Sequence, residues 1–267
     1  MLLTVDHVTR YVYDRPVRGV VQSHRLTPSR FDGQTVLDWT ITVTDGVAGG
    51  SFRDGAGDLL QGWTVPGPVS EIAVRVAGRI ETRDLVGVLR GHRELVMPEC
   101  YLRDTASTRA DVAIIALADL AMGAENPLSA AHILSDAVAG AIAWAPGATK
   151  AQTTAAEALA QAQGVCQDHA HVLIAAARHA GIPARYVSGY LLVTDEKSEA
   201  AHAWAELHVA GFGWVGFDPA NECCPDDRYI RLGSGLDAQD AAPIRGVSRG
   251  PGQESLDVTV AVLSDQQ

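Results

Sequence analysis

The apolar residues of this 267-residue chain change their repeat once, near residue 105, and that change limits the folds open to it. Before it, β-branched and aromatic residues fill 3–13, 35–44 and 71–82, with Gly, Pro and Asp punctuating the gaps. No helical repeat is sustained there, so residues 1–105 are expected to form an antiparallel β-sandwich or barrel. Beyond 105 the spacing turns helical at 111–122 and 130–144, the latter entered through Asn126 as N-cap with Pro127 in the first turn. Thr154 and Glu157 form a capping-box pattern that opens a short helix stopping at Gly164. A further helix is predicted from Cys166 to about Ala180, closed by Gly181 and Pro183. Strand signals return at 185–193, 201–210, 213–218 and 255–263. The expected organisation is a β-rich module over 1–105 followed by an α+β domain over 106–267.

Composition narrows the function classes. The net charge of −11 disfavours nucleic acid or an anionic membrane as main partner. Residues 106–267 hold 9 basic and 19 acidic side chains, so −10 of the −11 lies there. Solubility accounts for that excess more simply than steering of cationic substrates. No apolar run approaches the ~18 residues of a membrane span. The start, Met1 to His7, meets Asp6 before any basic or long apolar region, which leads to the expectation of a cytoplasmic protein. Four unevenly spaced cysteines (Cys100, Cys166, Cys223, Cys224) do not make a disulfide framework.

One of those cysteines sits where chemistry is favoured. In Gly164-Val165-Cys166-Gln167-Asp168 the thiol falls in the first turn of a predicted helix, where exposed N–H groups and the helix dipole favour a thiolate. A free cysteine is more often a small buried hydrophobe, so the segment alone does not decide. The strand around His202 adds the weight. Ala203, Ala205, Leu207 and Val209 share one face, and His202, Trp204, Glu206 and His208 share the other. A turn beside Gly211-Phe212-Gly213 folds the next strand back and brings Asp218 opposite His202 within a residue or two of register. Nucleophile, base and a carboxylate that orients the base are what acyl transfer needs. Cys166 would attack, His202 would carry the proton, and Asp218 would hold His202. Gln167, Trp144 and Trp204 are candidates for an oxyanion donor or for positioning substrate.

The blocks Gly164 to His171, Gly181 to Tyr190, His202 to Glu206 and Gly213 to Pro219 together resemble the bacterial transglutaminase-like family of candidate cysteine proteases. The resemblance implies an α+β, papain-like or transglutaminase-like core, in which a helix carrying Cys166 packs on an antiparallel sheet carrying His202 and Asp218. It assigns those three residues as the triad, and it makes residues 1–105 the N-terminal module that precedes such cores. Departures from the family pattern are His169 in place of Phe, Ala220 in place of Thr, Trp144 in place of Tyr, and Asp58 where Asn is typical.

No cofactor or metal is expected. His169 and His171 point to different sides of their helix, and Cys223-Cys224 lacks a second ligand pair. The expected partner is a peptide or protein with an amide or glutamine side chain, and no motif speaks to oligomeric state. Hydrolysis of a peptide or amide bond is the first expectation. Glutamine–amine transfer, arylamine-type acetyl transfer and a catalytically silent interaction module are the alternatives.

Overall fold

The computed structural model describes residues 1–193 and 200–264. In chain order the N-terminal part holds β1 (Leu2–His24), β2 (Gln34–Val43), β3 (Val47–Arg53) and β4 (Leu59–Thr82). The middle holds α1 (Val112–Asp119), α2 (Pro127–Ala141), β5 (Ala143–Trp144), α3 (Ala155–Gln161), β6 (Gln163–Gly164) and α4 (Cys166–His179). Then come β7 (Ala184–Leu191), β8 (Ala201–Val209), β9 (Gly213–Phe217), β10 (Tyr229–Gly235), β11 (Ile244–Ser248) and β12 (Glu254–Ser264).

Two sheets carry the molecule. The first is built on the β1–β4 ribbon, with β2 and β3 along the outer edge of β4 and β11 and β12 along the outer edge of β1. Its ladder breaks register between Val12 and Gly19. Pro16 in β1 and Pro66 and Pro68 in β4 lie at that break, where a residue without an N–H cannot serve the ladder. The second sheet is antiparallel in the order β10-β7-β8-β9. Inward residues of β1 and β4 (Val5, Ile72, Val74, Val76) pack with Tyr190, Ile230 and Leu232 of the second sheet in one core. The N-terminal sheet is therefore open, and its inner face is covered by the neighbouring sheet instead of a second layer of its own.

The C-terminal strands extend the N-terminal sheet. β11 and β12 follow the second sheet in sequence but pair antiparallel with β1, through Val20↔Ser248 and Thr9↔Val258 among others. Strand pairing is non-local, and nothing in 244–264 signals which sheet it will extend.

Helix α4 is the centre of the second core. Its residues from Asp168 to Arg178 are all buried, including the polar Asp168, His169, His171 and Arg178. α1, α2 and α3 close around the remaining faces, bringing Ile114, Leu134 and Ala155 into one cluster with Leu173, Ala205 and Phe217. The helix starts are built as the sequence indicates. Asn126 Oδ1 accepts from the Ser129 N–H at 2.9 Å, and Thr154 and Glu157 complete a capping box. At its far end Arg178 donates to the carbonyls of Tyr101, Ala184 and Leu236, which gives the buried guanidinium its partners and ties α4 to three other segments.

A buried ionic network locks the two parts. Glu206 of β8 accepts from Arg185 Nε at 2.7 Å and Arg231 Nε at 2.8 Å. Arg231 reaches Asp58 at 2.9 Å, and Asp58 also accepts from Ser29 and Ser234. Burial would raise the Glu206 carboxyl, but Arg231 and Arg185 bring it down to about 2. Asp58, the residue that departs from the family pattern, is an anion matched to Arg231. No helix among the described residues is long and apolar enough to cross a membrane.

Candidate active site

The start of α4 is fixed by residues on both sides of it. Val165, the N-cap, is extended and has no side-chain oxygen to offer. Asp168 supplies the return half of the cap, its Oδ2 accepting from the Val165 N–H at 2.8 Å and from the Thr149 hydroxyl at 2.6 Å. Gly164 is required for that approach, because a Cβ there would stand 2.6 Å from the Asp168 Cβ. His169 ties the same turn outward: Nδ1 lies 2.9 Å from the Val165 carbonyl and Nε2 3.0 Å from that of Ile142. Both nitrogens of His169 thus have structural partners. Cys166 is the first residue of the helix and half-buried; the Asp168 and His169 N–H groups bond the Val165 carbonyl, which leaves those of Cys166 and Gln167 at the open end of the helix.

β8 and β9 supply the next two groups. Their pairing, Val209↔Gly213 and Ala205↔Phe217, centres the hairpin on Gly211. His202 therefore stands on the diagonal from Asp218 and on the same face, within reach of a side-chain bond. His202 Nε2 lies 2.6 Å from Asp218 Oδ2. That oxygen also accepts from the Tyr229 hydroxyl at 2.8 Å and Asn221 Nδ2 at 2.7 Å, and Oδ1 accepts from the Ala220 N–H at 3.1 Å. The chain after Asp218 turns back so that its N–H bonds the Cys223 carbonyl at 2.8 Å, with Glu222 at φ 52°. The imidazole is stacked on Trp204 at 6.4 Å between centroids and meets the edge of Tyr229 at 5.8 Å. Gly189, opposite His202 on β7, admits this packing: a Cβ there would collide with the Ile230 carbonyl and the Trp204 ring.

The electrostatics follow from this geometry. Burial would lower the His202 pKa, but the hydrogen bonds with Asp218 and Cys166 and their charges raise it to about 10. Burial would raise the Asp218 carboxyl, yet His202, Asn221 and Tyr229 hold it below its ordinary value. With Nε2 committed to Asp218, the ring's other nitrogen, Nδ1, is the one left for the Cys166 sulfur. Cys166, His202 and Asp218 thus form one connected chain of side chains.

The three further candidates fall differently. Gln167 lines the same cleft, but its side-chain amide donates to the Ala151 carbonyl at 3.1 Å. Trp144 pairs across from Gly164, two residues before Cys166, and is 43% exposed. Trp204 is buried beneath His202 and serves as its packing surface. Asn221 and Tyr229 were not anticipated from sequence, because neither belongs to a recognisable pattern and each reaches Asp218 through a turn. Tyr186 was also missed. It is 5% exposed, lines the cleft with Cys166, and its hydroxyl has no hydrogen-bond partner among the described residues. Its position on the helix-facing side of β7 was the only available signal. Among the acids just beyond Asp218, Asp226 is paired with Arg228 at 2.8 Å.

The cleft itself has a volume near 380 Å³. Cys166, Tyr186 and His202 form one side, and β1 (His7, Thr9, Tyr11) and β12 form the other.

Residues 116–219 match the transglutaminase-like superfamily, and residues 3–81 match the bacterial transglutaminase-like N-terminal region. An uncharacterized protein of Mycobacterium leprae is 28% identical over 280 aligned positions, spanning 97% of this chain and 98% of its own length. One of Mycobacterium tuberculosis is 38% identical over 129 positions, covering 44% of this chain and 41% of its own length. Among solved structures, a candidate cysteine protease from Cytophaga hutchinsonii superposes with a TM-score of 0.76 at 21% identity, over 100% of this chain and 92% of that one. That likeness establishes a shared fold.

Proposed function

For a chain with a transglutaminase-like core behind a bacterial transglutaminase-like N-terminal region, we propose cysteine-dependent acyl transfer that ends in hydrolysis of a peptide or amide bond. The observation that carries this reading is the connected chain Cys166–His202–Asp218 at the edge of a cleft, with His202 held by a buried carboxylate at 2.6 Å.

The chemistry balances with these groups alone. The Cys166 sulfur, its proton passed to His202, attacks the amide carbon, and the carbonyl electron pair moves to oxygen. Collapse of that intermediate breaks the C–N bond. His202 gives its proton to the leaving amine, leaving a thioester on Cys166. Water then attacks the thioester carbon and loses a proton to His202, and the carboxylic acid departs as the thiol is restored. Asp218 keeps Nε2–H directed and stabilises the imidazolium. First-turn N–H groups of α4 face developing negative charge on oxygen, and the unpartnered Tyr186 hydroxyl is a second donor in the same cleft.

Water is favoured over an amine because no carboxylate among the described lining residues would retain a protonated amine. The deciding experiment supplies a glutamine-containing peptide with labelled primary amine and reads the products by mass. Free acid as main product, with an acyl-enzyme trapped on Cys166, supports the reading. Amine adduct dominating at millimolar amine replaces it with transglutaminase activity, and absence of any acyl-enzyme leaves an interaction module.

A further inference from the structure

The C-terminal strand shows an irregular pattern of burial. Leu256, Val258, Val260 and Val262 alternate along β12 and, by register with Tyr11, Thr9, His7 and Val5, lie on the inner face of the first sheet. Val262 on that face is 5% exposed and Val260 is half-buried, because the second sheet covers them. Leu256 and Val258 point the same way but remain 57% and 47% exposed. The cover is interrupted there by the cleft that holds Cys166 and His202, and both side chains line it. Tyr11, Pro243 and Ile244 extend the same apolar wall.

The lining carries a second message. Among the described residues it includes no Asp, Glu, Lys or Arg, in a chain of net charge −11. Its polar groups on the β1 side are engaged with each other: His7 Nδ1 lies 2.7 Å from the Tyr190 hydroxyl and Nε2 2.7 Å from the Thr9 hydroxyl. A charged side chain set against the Tyr11, Leu256 and Val258 wall, away from His202, would shed water and find no Asp, Glu, Lys or Arg in the lining to pair with. An apolar one would remove from water two aliphatic side chains that the fold leaves uncovered on its inner face.

We propose that the acyl donor is an uncharged peptide segment whose apolar side chain, flanking the reacting carbonyl, docks on Tyr11, Leu256 and Val258, so that β12 is a specificity element of the site. The proposal rests on the reading of Cys166 as nucleophile. It also gives the junction of β12 with the N-terminal sheet a role, since the strand reaches the cleft only through its pairing with β1.

The test uses the full chain and two kinds of probe. Peptide amides carrying Leu, Glu or Lys beside the reacting carbonyl are compared by kcat/KM, and iodoacetamide is compared with its N-hexyl derivative for alkylation of Cys166. Relative to free cysteine, the hexyl reagent is expected to be faster, and the Leu peptide to exceed the Glu and Lys peptides by about tenfold or more. Leu256→Asn should bring both preferences close to unity with an unchanged melting curve. Leu263→Asn, on the outward face of the same strand, should leave them as they are. Alkylation of Cys166 that is brisk but indifferent to the hexyl tail, or equal use of the three peptides, refutes the apolar wall and leaves the nucleophile standing. Cys166 inert to both reagents overturns the underlying reading and the wall with it.

Discussion

Replacing Asp218 by Asn separates the charge of the carboxylate from its shape. In the native protein Oδ2 receives three donors (His202, Tyr229 and Asn221) and Oδ1 receives the Ala220 N–H. An amide NH2 in the Oδ2 position would oppose all three, so the side chain will place its oxygen toward His202 and its NH2 toward Ala220. One donor–donor conflict replaces a bond, at a cost of about 1–3 kcal/mol. The Nε2–H of His202 keeps an acceptor but loses an anion. The rise of the imidazole from 6.5 to about 10 corresponds to about 5 kcal/mol in favour of the charged ring. Part of that comes from Cys166, and burial opposes it, so removal of the Asp218 charge should lower the His202 pKa by at least two pH units.

A histidine whose folded pKa exceeds its unfolded value of 6.5 contributes stability that is fully present below pH 6.5 and is lost as pH rises through about 10. Nitrogen-15 NMR of the histidine ring reads the titration directly, and urea unfolding from pH 6 to 10 reads the stability. Asp218→Asn should flatten the fall in stability across that range and reduce turnover, by as much as on the order of 10⁴ as in the corresponding serine-protease change. A native His202 that titrates near 6.5, or one whose titration the substitution leaves unmoved, would refute the reasoning.

Three further outcomes are expected. In a Cys100→Ser background, which removes the exposed thiol, limiting iodoacetamide should label Cys166 first, because burial pushes the Cys224 thiol up to about 11 and raises Cys223 as well; peptide mapping that finds Cys223 or Cys224 ahead would count against the assignment. Tyr186→Phe should lower kcat by about 10²–10³-fold with KM and melting temperature nearly constant, since the hydroxyl has no partner to lose among the described residues; unchanged kcat would remove it as a donor. Glu206→Gln should destabilise the fold by about 3–5 kcal/mol by leaving Arg185 and Arg231 undercompensated, and should reduce the native loss of stability as pH falls from 4.5 through about 2, where Asp58 and Asp218 still contribute. Urea unfolding at pH 7 and pH 3 measures both effects, and equal losses at the two pH values would show that the carboxylate's charge is not what matters.

Features that depend on neighbours in sequence were legible before any coordinates. Asn126, and Thr154 with Glu157, act on backbone groups three residues away, so those helix starts could be read directly. The pairing of His202 with Asp218 was legible for the same reason: a hairpin's register is set by its turn, and sixteen residues of alternating chain carry the face from one side chain to the other. What tertiary structure alone decided is the rest of the site. β10 was not expected, because Arg231 and Gly233 interrupt its apolar pattern, and these residues make sense only against Glu206, Asp58 and Arg25 from distant segments. Tyr229 and Asn221 find Asp218 across a turn with no periodic signature. The far wall of the cleft joins Thr9 to Val258 through strand pairing, and a strand's sequence marks which face is apolar without marking which edge will receive it, since every backbone edge offers the same N–H and C=O groups.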